Sequence, residues 1–348
     1  LFKTSCLDLY VQIIIMDNHG YLKDLKNCQL CPWKCGVNRL AGESGVCRVG
    51  LPEVAYTGLT QVLKTFAVTL LGCSFRCIYC NAYRLSQYPD SGWMYRGYVQ
   101  PDSLVHEVLD AFKTNFAQNM GVEKLSFTGG EPSIHTPYLE EVTAQMREQI
   151  PELEVGLATN GFCTPQTMKR LVDISSYINF EIKAFDPELH HAVTGAPVEP
   201  VLENAEFIAC ENPEKIRVFR TVVIPGINDS EVPKIASFLR DIDPGLPYRL
   251  VGFRPHFLLY YHPGPSKNLM QNLVEECNDL GLKNVDYSGY SPGGVLSYGS
   301  SFNTRLKNIY NILNHAGCYN HPRNCGSCPE NQYCPAIVME PWTNLPLK

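Results

Sequence analysis

The chain has 348 residues, 45% of them hydrophobic and 18% charged, enough for one large α/β domain with small appendages or for two domains. Its net charge is −6, from 29 basic and 35 acidic side chains, so no global basic surface argues for nucleic acid. Residues 11–16 are apolar apart from Gln12 but far too short to cross a bilayer, and Asp8 interrupts any signal-peptide core. Residues 1–15 read as preceding an initiator at Met16, with an extra N-terminal strand as the alternative. Neither reading implies secretion or membrane insertion, and a cytoplasmic protein is expected.

Cysteine is the outlier, with 15 in the chain. Eleven fall into three clusters: Cys28, Cys31, Cys35 and Cys47; Cys73, Cys77 and Cys80; Cys318, Cys325, Cys328 and Cys334. Such spacing in an enzyme-sized chain reads as metal ligation in a reducing compartment rather than a secreted disulfide framework. The first quartet sits in a glycine-containing loop and can complete a tetrahedral zinc site or a full iron–sulfur cluster, with a slight preference for iron–sulfur.

From residue 66 the chain alternates apolar strands with amphipathic helices. Strands are predicted at 66–71, 124–128, 154–159, 177–182, 216–223 and 250–253. Helices are predicted at 101–119, 137–150, 165–172, 201–209, 230–241 and 269–280; the first carries Leu104, Val105, Val108, Leu109, Phe112 and Phe116 on one stripe. This alternation argues for a parallel sheet with right-handed crossovers. Six units are too few for a closed eight-stranded barrel, so the expected fold is α/β, a partial (β/α)6 TIM-like barrel, with a doubly wound open sheet as competitor. Cys210 and Cys277 fall in helices and are expected to be buried, while Cys163 is a candidate reactive thiol.

Four motifs stand at predicted strand ends, where such barrels bind ligands. The first is Cys73-Ser-Phe-Arg-Cys77-Ile-Tyr79-Cys80, which offers three thiolates to a cluster that has four irons. One iron would then keep an open position, although zinc and disulfide readings stay open for the triplet alone. Next come Thr128-Gly129-Gly130-Glu131-Pro132, whose glycines would let a ligand approach the backbone, and Ala158-Thr159-Asn160-Gly161. The fourth is Glu181-Ile182-Lys183, followed by Arg220 on the next strand and by Phe253-Arg254-Pro255-His256.

The cysteine triplet resembles the signature of the radical S-adenosylmethionine (SAM) superfamily. Across roughly residues 60–260 the succession of motifs resembles the pyruvate formate-lyase-activating enzyme family, the glycyl-radical activases. That resemblance implies a 4Fe–4S cluster on Cys73, Cys77 and Cys80, with SAM on its open iron. It assigns Tyr79, Gly129, Gly130, Glu131, Thr159, Asn160, Glu181, Lys183 and Arg220 to the SAM pocket. His256 takes a catalytic position near the adenosyl group. Ala158 and Glu181 stand where the activases carry aspartates that help hold a monovalent cation, which puts that cation site in doubt. The N-terminal quartet is similar to a leader on archaeal and bacterial activase-like relatives. The C-terminal quartet resembles part of the auxiliary-cluster domains of peptide-modifying radical SAM enzymes, so each implies a further 4Fe–4S cluster or zinc.

Three segments are therefore expected: a cysteine-rich one at 1–60, the barrel at 61–290 and an auxiliary-cluster segment at 291–348. The implied activity is reductive cleavage of SAM to a 5′-deoxyadenosyl radical that abstracts a substrate hydrogen, activating or modifying a protein. The alternatives are a small molecule or tRNA base as substrate, or an electron carrier or scaffold without turnover. The implied partners are a ferredoxin or flavodoxin donor and a protein substrate, with no membrane.

Overall fold

A computed structural model describes residues 20–89, 95–292, 294 and 309. Nine strands form one sheet in the order β3-β1-β2-β4-β5-β6-β7-β8-β9. They are β1 (Glu53–Thr60), β2 (Thr65–Leu70), β3 (Gly97–Tyr98), β4 (Lys124–Gly129), β5 (Val155–Thr159), β6 (Tyr177–Glu181), β7 (Ile216–Val223), β8 (Pro247–Gly252) and β9 (Asn284–Ser288). From β2 to β9 every pairing is parallel, whereas β1 pairs antiparallel with both β2 and β3. The parallel strands follow chain order with no reversal. That excludes the doubly wound competitor, whose order switches direction part-way, and leaves a sheet coiled as a partial barrel.

The six predicted strands are present, and β9 adds a seventh parallel one. The apolar β2, β4, β5, β6 and β7 supply the core; Val68, Leu70, Leu125, Phe127, Val155 and Phe219 are fully buried. Helices cover the outer face: α1 (Tyr83–Ser86), α2 (Pro101–Lys113), α3 (Asn115–Met120), α4 (Thr136–Gln149), α5 (Pro165–Ile174), α6 (Pro187–Thr194), α7 (Glu199–Glu211), α8 (Val232–Ile242) and α9 (Lys267–Asp279). Proline in the first turn starts six of the longer ones, where its missing N–H costs nothing.

Two expectations fail here. The helix predicted over 101–119 breaks at Thr114, which is extended and caps α3 by accepting from the Ala117 amide. The break turns Phe116 off the buried stripe and leaves it 61% exposed. Cys210 is exposed rather than buried, while Cys277 is buried as expected. No helix among the described residues is long and apolar enough to cross a membrane. The C-terminal Cys318, Cys325, Cys328 and Cys334 lie outside the described residues.

Candidate active site

The carboxyl ends of the parallel strands surround a cavity of about 570 Å³, within the range of small-molecule sites. Its walls include every residue the motifs nominated between 73 and 256: Cys73, Cys77, Tyr79, Cys80, Gly129, Gly130, Glu131, Thr159, Asn160, Glu181, Lys183, Arg220 and His256. The N-terminal quartet lies elsewhere, around a second, small cavity.

The triplet follows β2 directly. Arg76, which the sequence reading passed over, fixes its conformation: the buried guanidinium donates to the Cys73 and Phe75 carbonyls, both at 2.9 Å, and to the Val46 carbonyl. The Gln87 amide holds the Cys77 carbonyl at 2.7 Å. Burial pushes all three thiols up, Cys77 to about 12 against the pull of the Lys183 charge. Cluster assembly must therefore displace protons. The triplet is also packed from the N-terminal segment, since the Trp33 indole N–H donates to the Ser74 carbonyl at 2.9 Å and its ring meets Phe162.

The glycines of the second motif stand where two strand ends meet. A Cβ on Gly130 would lie 1.7 Å from the Gly72 carbonyl oxygen, and one on Gly129 2.3 Å from Leu70 backbone. The glycines therefore let the ends of β4 and β2 approach closely, and they also line the cavity. The amides of Gly130 and Glu131 are spent on the Leu70 and Gly72 carbonyls, both at 2.9 Å. Only carbonyls of this turn are left for a ligand, and carbonyls suit an ammonium.

The Glu131 side chain is buried and holds two loops together. It accepts from the Ser133 amide at 2.9 Å, the Thr159 hydroxyl at 2.6 Å and the Asn160 amide at 2.8 Å. The Asn160 side chain then donates toward Cys73 Sγ at 3.7 Å. Asn204, on α7, braces the same turn by donating to the Gly161 and Cys163 carbonyls at 2.8 Å. Cys163 is fully buried, and burial raises its thiol well above its ordinary value, which disfavours the thiolate that a reactive cysteine needs.

Glu181 ends β6 and Lys183 follows in the loop two residues on, while Glu181 sits beside Arg220 in the β6–β7 register. Lys183 pairs closely with Glu181, and Arg220 reaches its other oxygen at 3.5 Å. Burial raises the Glu181 carboxyl, but the charges of Lys183 and Arg220 outweigh it and hold it below the usual range. Burial disfavours the Lys183 ammonium too, and Glu181 more than compensates. Two cations sharing one carboxylate leave one positive charge in surplus inside the cavity.

His256 lies on the rim, its Nδ1 3.0 Å from the Arg254 carbonyl. Phe257 takes a left-handed backbone (φ 54°) and stacks on Tyr83 at 4.7 Å, tying the β8 loop to the segment after the triplet.

The residues fit an iron–sulfur cluster with SAM. Buried Cys73 and Cys77 and half-buried Cys80 stand at one end of the cavity, and among the described residues no fourth cysteine lines it. Among the described residues no three Cys, His, Asp or Glu side chains converge tightly enough to hold a single metal ion. The Tyr79 hydroxyl is buried in the wall with no partner, a polar group that a bound molecule would satisfy.

Residues 68–239 match the Radical SAM superfamily model. The chain carries a radical SAM domain. It is 25% identical over 293 residues to an uncharacterized protein of Methanocaldococcus jannaschii, covering 76% of this chain and 81% of that one. It is 30% identical over 140 residues to the isethionate sulfite-lyase activating enzyme of Desulfovibrio desulfuricans, covering 40% of this chain. With the GTP 3′,8-cyclase of Limosilactobacillus fermentum it shares 27% over 237 residues, 66% of this chain and 67% of that one. The match spans only 44% of the activating enzyme's length. A radical SAM domain implies a 4Fe–4S cluster and SAM.

Proposed function

We propose that this radical SAM enzyme acts on a protein, in the manner of the activating enzymes it resembles. Cys73, Cys77 and Cys80 would hold three irons of the cluster and leave the fourth for SAM. When bound, the pair supplies one-electron cleavage of a carbon–sulfur bond and a radical able to abstract hydrogen. The chain's own residues do the rest. Carbonyls of Gly129 and Gly130 would accept from the SAM ammonium, and the surplus charge at Lys183 and Arg220 would meet its carboxylate. Thr159 and Asn160, fixed by Glu131, shape the wall beside Cys73. Tyr79 gives a buried ring and a free hydroxyl, and His256 guards the rim. The barrel at 61–290 is the catalytic unit in this reading.

The observation that carries a protein substrate is the rim itself. Tyr260 and Tyr261, on the loop that brings His256 to the cavity, are 62% and 89% exposed, and Tyr290 beyond β9 is 48% exposed. Exposed tyrosines offer large contact area at low entropy cost, which suits a docking polypeptide. The match to GTP 3′,8-cyclase over two thirds of the chain supports the second reading, a small-molecule substrate.

The test supplies reduced, anaerobically reconstituted enzyme with SAM and a deuterium-labelled cell extract split into protein and filtrate fractions. Deuterated 5′-deoxyadenosine is expected from the protein fraction, and none from a Cys73/Cys77/Cys80→Ala variant. Deuterium arriving only from the filtrate would replace this reading by the second.

A further inference from the structure

The second cavity is lined by Cys28, Cys31, Cys35 and Cys47 together with Arg39. We propose that these four thiolates hold an iron–sulfur cluster of their own, whose negative charge is balanced by the buried Arg39. This site is separate from the SAM pocket and does not depend on how that pocket works.

Arg39 is the first argument. Its guanidinium is fully buried. Nε donates to the Gly50 carbonyl at 2.7 Å and Nη1 to the Ile134 carbonyl at 2.6 Å, with Cys28 Sγ at 3.8 Å from Nη1. Nη2 is buried and has no partner. No carboxylate among the described residues pairs with this cation. Burying an uncompensated guanidinium costs several kcal/mol, so the site calls for an anion. A centre bound by four thiolates is one.

The loop is also built around the sulfurs. Lys34 and Gly36 take left-handed conformations (φ 44° and 66°) on either side of Cys35. The Val46 amide donates to Cys35 Sγ at 3.5 Å. Gly45 has no room for a side chain, since its Cβ would lie 2.7 Å from that sulfur.

Four thiolates around either one zinc or an iron–sulfur core would supply that anion. Iron–sulfur is the centre proposed, and zinc is the outcome that overturns it.

The experiment uses the full chain carrying Cys73/Cys77/Cys80→Ala, with and without Cys28/Cys31/Cys35/Cys47→Ala, after anaerobic reconstitution with iron and sulfide. Iron, acid-labile sulfide and zinc are counted per chain. Removing the quartet is expected to lower iron by about four per chain, while the C-terminal cysteines contribute equally to both. Equal iron in the two proteins, or stoichiometric zinc displacing iron in the first, would overturn the proposal. Should the quartet variant not fold, Arg39→Met and Arg39→Lys in the triad-free chain give a second readout. Loss of the buried charge should move the midpoint potential of the remaining cluster signal downward, and lysine should restore it. An unmoved potential in both would overturn the assignment of that cluster to this loop.

Discussion

Replacing Gly130 with alanine is expected to destabilise the protein by more than about 3 kcal/mol, the upper end of overpacking costs. The added Cβ would sit 1.7 Å from the Gly72 oxygen and 2.6 Å from its carbon. Both are backbone atoms, so no rotamer change relieves the contact. The same oxygen accepts from the Glu131 amide at 2.9 Å. Relief must therefore part the ends of β2 and β4, and Cys73 follows Gly72 directly. Two readouts should fall together: the thermal midpoint of the apo protein, and iron retained on Cys73, Cys77 and Cys80 in chains lacking the N-terminal quartet. Gly58→Ala is the control, because nothing lies within 4 Å of its Cβ position. It should stay within about 0.5 kcal/mol of the parent, as a surface strand glycine does. A Gly130→Ala protein as stable as Gly58→Ala would show that the two strand ends can separate cheaply.

How far the chain could be read in advance depended on whether a residue's role shows in its neighbours along the sequence. Buried parallel strands announce themselves as apolar runs, so β2, β4, β5, β6 and β7 were legible, and the loops at their ends inherited the correct face. β9 was not, because Asn284-Val-Asp-Tyr-Ser288 alternates exposed and half-buried positions at the sheet edge. Its place comes from pairing with β8 and from the Arg249–Asp286 ion pair, neither of which is a local signal. β1 was missed for a similar reason, its partner lying across a turn at 61–64. Arg39 and Arg76 carry no local sign of burial, since arginines are mostly exposed. Only the fold reveals that one is sealed beside the quartet and the other beneath the triplet. Gly129 and Gly130 stand out locally as a turn, but their contact with the Leu70–Gly72 backbone, more than fifty residues earlier, leaves no local signal. The carboxylate at 181 followed the same pattern: its departure from the activases was visible, but its pairing with both Lys183 and Arg220 needed the register of β6 and β7.

Acidification from pH 7 to pH 5 is expected to remove about 4 kcal/mol of stability through two histidines the reaction does not use. His135 Nε2 lies 2.8 Å from the Leu71 carbonyl, and His190 Nδ1 lies 2.8 Å from the Ala196 carbonyl. Each of those nitrogens must carry the hydrogen, and the opposite nitrogen is buried without a partner. Burial, aided by the Arg39 charge, lowers His135 to about 3, and burial lowers His190 to about 4. A base whose folded value is depressed keeps its full contribution above the unfolded value of about 6.5 and loses it as pH falls toward the folded one. At pH 5 each unfolded imidazole gains a proton the folded one refuses, worth about 2 kcal/mol apiece. That is a large share of the 5–15 kcal/mol typical of a domain. Glu131 acts in the opposite sense, because burial raises its carboxyl and protonation then favours the folded state. Urea midpoints at the two pH values, compared with a His135→Gln/His190→Gln variant, separate the contributions. The variant should start less stable at pH 7 but lose much less on acidification. Equal losses in both proteins would assign the acid sensitivity to the carboxylates instead.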